Sequence, residues 1–318
     1  MALRINKTKK GSWLKHAAAV LAIAAGVALV LPGLSAAATV KQRTFASPEE
    51  AVKAMGEALK SHDVKALEAI FGPGSKDLIS SGDPVADRTE YDRVVNHLEQ
   101  KTKLEVTEDK TVLILGSEEW PFAIPIVKKD SLWHFDTKKG REEILARRIG
   151  KNELSAIQFC LAYVDAQREY ALMDRDADGL MEYAQKFGSD KGKKNGLYWE
   201  VKAGEEQSPL GPLAALAQKQ GYSTERKSPQ PYLGYYYRIL KGQGKDAPGG
   251  AYDYMVKGNM IGGFALAAYP AKYGSSGIMS FIVNHDGVVY QKDLGEDTEQ
   301  AVLNVTLYDP DKAWTKAQ

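Results

Sequence analysis

Residues 174–179 read Asp-Arg-Asp-Ala-Asp-Gly. The carboxylates of Asp174, Asp176 and Asp178 alternate and run into Gly179. That pattern opens a calcium loop, in which oxygens at alternate positions meet the ion and a glycine turns the chain. Glu182 stands where a ninth-position ligand would be. Gln185 stands at the closing position, where a bidentate Glu is wanted, and Arg175 brings a positive charge beside the ion. Two readings follow. One is a weak calcium site of Asp174, Asp176, Asp178 and Glu182, filled by millimolar extracellular ion. The other is an acidic turn after a helix, its carboxylates capping backbone N–H groups.

Other chemistries find less support. No G-x-S-x-G is present, and Gly274-Ser275-Ser276-Gly277 has the wrong spacing for a nucleophile elbow. It reads as a flexible turn between strands. Gly242-Gln243-Gly244-Lys245 and Pro248-Gly249-Gly250 lack phosphate-loop spacing and read as a hairpin loop. His62, His97, His134 and His285 form no H-x-x-x-H pair and no Cys/His cluster. Cys160 is the sole cysteine, so no internal disulfide can form. It lies in an apolar helical stretch, Ala156 to Ala162, and reads as a small buried hydrophobe rather than a reactive thiol.

Aromatic residues give two candidate sites. Tyr235 and Tyr237 alternate along an expected strand, with Tyr232 just before it and Tyr198 and Trp199 earlier in the chain. Tyr is apolar in body and polar at its tip, so an outward-facing row suits a protein or carbohydrate contact. The plainer reading is sheet packing, for which Tyr has high strand propensity. The second candidate is a pocket lined by Trp120, Phe122, Trp133 and His134, with Phe135 beside them. With no catalytic motif, the favoured function is a non-catalytic binding or assembly protein of the cell envelope, with an envelope protein as partner. The alternative is a small-ligand binder or enzyme using the pocket.

These residues must be carried by elements. The chain opens with Arg4, Lys7, Lys9, Lys10 and Lys15, then the apolar run 17–31, then Pro32-Gly33 and Ala36-Ala37-Ala38. That order is a secretory signal peptide, with cleavage expected after Ala38 and a periplasmic or secreted mature chain. Removing those five bases from 42 leaves 37 against 41 acids, a net of about −4, which gives no reason for nucleic-acid binding. The length suggests two domains, 39–150 and 151–318. Ser47-Pro48-Glu49-Glu50 starts a helix. Further helices are expected at 88–100, 139–150 and, capped by Asn152, 153–173 with Leu154, Ile157, Leu161, Val164, Tyr170 and Leu172 as core. A short one is expected at 210–220. Period-two patterns mark strands at 111–115, 122–127 and 132–135, and again at 234–240, 252–256, 263–269, 277–283 and 287–291. The class is α+β.

The first half resembles the nuclear-transport-factor-two-like cone fold, helices packed on one face of a meander. Four stretches resemble a bacterial family of exported proteins catalogued as domain-of-unknown-function family 2950. They are Trp120-Pro121-Phe122 with Leu132 to Thr137; Asn195 to Trp199; Pro231 to Leu240; and Gly262 to Leu266 with Val289 to Gly295. The likeness covers about residues 45–314. It implies a bacterial source and no activity, cofactor or site residue. Residues 153–295 are also similar to the globular heads of type IV pilins and pseudopilins, but the long apolar helix those proteins polymerise through is missing.

Overall fold

In the computed structural model, which describes residues 41–175, 177, 179–202, 204–223 and 229–317, α1 (Pro48–Lys60) begins where the capping signature places it. Ser47 Oγ accepts the Glu50 N–H at 3.3 Å, and the Glu50 carboxylate accepts the Ala46 N–H at 3.1 Å. This satisfies donors that a first helical turn leaves without partners. Then come α2 (Val64–Phe71), the short α3 (Lys76–Ile79) and α4 (Pro84–Gln100). α4 starts earlier than its apolar stripe suggests, because Asp83 caps it and Pro84 fits the first turn. The export segment lies outside the described residues.

Five strands follow: β1 (Thr102–Val106), β2 (Lys110–Leu115), β3 (Trp120–Pro121), β4 (Ile126–Lys129) and β5 (Leu132–Phe135). They form an antiparallel sheet in the order β1-β2-β4-β5, with β3 paired to β2. β1 has no apolar alternation to betray it. It is a largely exposed edge strand carrying Lys103 and Glu105, which pair at 2.8 Å. Charge on an edge discourages further strand pairing. α1 and α2 pack on β5 and α4 packs on β2, burying Met55, Leu67, Ile70, Leu113, Leu115, Ile126 and Phe135.

α5 is a single 34-residue helix, Thr137–Tyr170, where two helices with a cap at Asn152 are expected. Nothing in Gly150-Lys151-Asn152 forbids helical backbone. The Asn152 side chain does not cap; its Nδ2 donates to the Ser276 carbonyl at 2.9 Å. The core stripe of α5 also differs from the expected one. Ala156, Cys160, Tyr163, Gln167 and Tyr170 face inward, and Val164 joins them. Leu154 is 63% exposed, Leu172 is 70% exposed, and Leu161 lies on the outer face with Leu154. Small side chains let the helix approach the sheet closely, so the stripe with Ala and Cys wins over the one richer in Leu. Near its start, a Cβ on Gly140 would lie 2.5 Å from Ile124 Cγ1 and 2.7 Å from the Ala123 oxygen, so only glycine fits there.

The remainder holds α6 (Gly211–Lys219), β6 (Tyr235–Leu240), β7 (Gly242–Gln243), β8 (Tyr252–Asp253), β9 (Met255–Val256), β10 (Asn259–Met260), β11 (Ala265–Pro270), β12 (Met279–Asn284), β13 (Tyr290–Asp293), α7 (Thr298–Ala301) and β14 (Thr315–Lys316). The larger sheet runs β14-β13-β12-β11-β6, antiparallel throughout, and α5 packs on β11 and β12. The fold is α+β. Val40–Gln318 form one compact unit containing two hydrophobic clusters, and α5 contributes to both.

Polar ties join the two clusters' elements. Asp83 is fully buried. Its Oδ1 accepts the Val85 and Ala86 N–H groups, each at 3.1 Å, and its Oδ2 accepts the Tyr222 hydroxyl at 2.8 Å and the Gly234 N–H at 2.9 Å. Leu233 and Gly234 both have positive φ, 51° and 82°, which aims successive N–H groups at Tyr222 and Asp83. The Ser275-Ser276 turn is not a flexible surface turn. Both serines are buried, and Ser275 Oγ donates to the Asp77 carbonyl at 3.0 Å. Asp83→Ala should destabilise the protein by about 3 to 5 kcal/mol, since it strands buried donors. Tyr222→Phe should cost about 1 to 2 kcal/mol. Urea unfolding checks both; an Asp83→Ala loss below that of Tyr222→Phe would show that the carboxylate is not the tie.

Candidate functional site

The helices and the first sheet do not close completely. A cavity of about 420 Å³ lies among α1, α2, α3, α4, α5 and the β3–β4 segment, within the size range of small-molecule sites. Leu67, Phe71, Leu78, Phe122, Ile124 and Ile144 make its apolar walls. Its polar side comes from α4 and α5, whose facing surfaces carry Asp87, Glu90, Tyr91 and Arg93, and Arg147, Arg148 and Lys151.

Each polar group has a distinct setting. Both Asp87 oxygens lie within hydrogen-bond reach of the Ser81 N–H, at 3.1 and 3.0 Å. Burial raises the Asp87 carboxyl above its usual range despite those bonds. Tyr91 donates to the Ile79 carbonyl, and burial, aided by the Asp87 charge, pushes its hydroxyl up to about 12. Arg93 is paired with Glu90 at 2.5 Å. Arg148 donates to the Asp77 carbonyl at 2.7 Å and to the Leu78 carbonyl. Burial lowers the Arg148 pKa, and the charges of Asp87 and Glu90 work against that shift. Trp120 sits near both helices, with the Arg93 guanidinium 5.1 Å and the Arg147 guanidinium 5.3 Å from its ring centre.

Of the expected pocket residues, Trp120 and Phe122 line the cavity. Trp133 does not. It is buried in the core, and its backbone pairs with Phe45 through two bonds of 2.8 Å. Phe135 is wholly buried in the same cluster. His134 alternates with both and lies half-buried on the other side of β5. The polar groups of α4 and α5 escaped the sequence reading. Their convergence depends on how two helices far apart in sequence lie together.

The tyrosines do not form an exposed face. Tyr232, Tyr235 and Trp199 are buried, and Tyr237 and Tyr198 are half-buried. Tyr237 stacks on Phe159 with ring centres 3.9 Å apart, and Tyr235 donates to the Met279 carbonyl at 2.9 Å. Trp199 lies between Arg175 and Lys194, at 5.5 and 5.4 Å. Strand alternation points one row of tyrosines inward against α5, which covers that side. Tyr198, Tyr232 and Tyr237 border a second cavity of about 550 Å³, whose edge also includes Ser223 and Pro229.

In the acidic loop, Asp176 and Asp178 lie outside the described residues. Asp174 accepts the Ala177 N–H at 2.8 Å and the Gly179 N–H at 2.9 Å, so it caps the turn. Glu182 accepts the Met260 N–H at 3.2 Å. Among the described residues there is no cluster of His, Cys, Asp or Glu suited to a metal ion. No helix among them is long and apolar enough to cross a membrane.

Burial pushes the Cys160 thiol up to about 12. A thiol reagent at pH 8 should therefore leave native Cys160 unmodified and label it only after denaturation. Rapid native labelling would contradict this burial.

A family model described as "Protein of unknown function (DUF2950)" matches residues 42–317. No curated protein and no solved structure matches the chain.

Proposed function

The chain belongs to the DUF2950 family, whose description names no activity, and we propose from its geometry that it holds a small molecule in the cavity between α4, α5 and the first sheet. The observation that carries this reading is the cavity itself. It is about 420 Å³, walled by described residues, apolar over most of its lining and polar on one side. Small-molecule sites combine these features. The competing reading, assembly through a tyrosine face, has less to rest on, since Tyr232 and Tyr235 are buried while Tyr198 and Tyr237 are half-buried.

The test is retention of ligand. Native mass spectrometry of the protein isolated from its own source should reveal a bound small molecule. Ile144→Trp, at a half-buried position of the lining, should abolish retention and lower uptake of Nile red without lowering the melting temperature by more than a few degrees. A protein that retains nothing, and whose dye uptake is the same in the variant, would overturn the proposal.

Export belongs to the same reading. It is supported by the order of basic, apolar and small residues over 1–38. N-terminal sequencing of the protein recovered from extracytoplasmic fractions should begin at Thr39. A chain still beginning near Met1 would rule out cleavage there.

A further inference from the structure

The polar side of the cavity is not electrically balanced. Its lining carries Arg93, Arg147, Arg148 and Lys151 against Asp87 and Glu90. Glu90 pairs with Arg93, and Asp87 accepts the Ser81 N–H while its charge acts on Arg148. Arg147 pairs outside the cavity with Glu143 at 2.5 Å. Arg148 and Lys151 are left against Asp87, an excess of positive charge. Arg148 is half-buried, and its hydrogen bonds go to neutral groups: the Asp77 and Leu78 carbonyls and, at 3.5 Å, the Ser275 hydroxyl. Lys151 lies one position past a turn of α5 from Arg147, and it is exposed. Neither cation makes an ion pair within 4.0 Å among the described residues.

A guanidinium taken partly out of water and not matched by a carboxylate is costly, and an anion beside it relieves that cost. Beyond the polar side the lining is hydrocarbon and aromatic, with Leu67, Phe71, Phe122 and Ile124 among its walls. Such walls gain from covering an apolar body and offer nothing to a second polar end. We propose that the cavity takes an amphipathic anion, an apolar body carrying a single acidic head, with the head directed to Arg148 and Lys151. This rests on the small-ligand reading above and names the class of molecule.

The charge balance also works against the opposite polarity. A cationic amphiphile would add its head to a lining that already carries more positive than negative charge. A neutral one would fill the apolar space but leave Arg148 as it is.

The experiment is titration calorimetry with decanoate, decanol and decyltrimethylammonium on the purified protein, on Lys151→Glu and on Ile144→Trp. Decanoate should bind about five- to tenfold more tightly than decanol, and the ammonium compound should bind weakest. Lys151→Glu should reduce that preference by a similar factor while leaving decanol unchanged. Lys151 is exposed, so this variant should fold as the parent does. Decanol binding as tightly as decanoate, or Lys151→Glu without effect on decanoate, would overturn the head-group assignment and leave the cavity reading standing. If none of the compounds binds and Ile144→Trp changes nothing, the cavity reading itself falls.

Discussion

A buried carboxylate that must find donors on every side constrains this fold more than any other single group. Asp83 is out of reach of water and accepts hydrogen bonds from Val85, Ala86, Tyr222 and Gly234. Two of those donors belong to its own helix and two come from well over a hundred residues away. Each requirement fixes a piece of chain. α4 must begin at Pro84, the Tyr222 side chain must point back toward it, and Leu233-Gly234 must turn with positive φ. Gly234 has a second reason to be glycine, since a Cβ there would lie 2.4 Å from Asn152 Nδ2.

The continuity of α5 follows from the same economy of polar groups. Asn152, a residue that often ends or begins helices, keeps helical backbone because Ser276 offers its side chain a partner. Arg148, a turn earlier, reaches the carbonyls at the end of α3, and Ser275 reaches Asp77. One helix therefore serves the first core with Ile144 and Leu145 and the second with Ala156, Cys160 and Tyr163. The cavity lies beside this seam. One of its cations, Arg148, also joins the elements, so its position and its charge come from one framework.

Much of the architecture was legible. The Ser47 cap, the β2 and β5 strands, the helix after Leu210 and most strands of the second sheet stand within a few residues of their expected places, because each depends on local periodicity or capping chemistry. The misreadings share a cause. β1 is an exposed edge without an apolar face. The Leu154–Leu161 stripe looked more hydrophobic than the one containing Ala156 and Cys160, yet close helix–sheet approach rewards small side chains. Residue type leaves the tyrosines open to an outer face or to sheet packing, and sheet direction turns Tyr235 and Tyr237 inward.

The sequence alone determined the α+β class, the helix start at Ser47, the strand periodicity, the family likeness and the aromatic side of the candidate pocket through Trp120 and Phe122. These are properties of neighbouring residues, and neighbours along the chain suffice to read them. Only the tertiary structure decided that α4 and α5 face each other, that Asp87, Arg148 and Lys151 share one cavity wall, and that Trp133 does not join them. Burial and charge balance are sums over everything that packs around a group. A linear pattern holds no record of which distant residues will supply that surrounding.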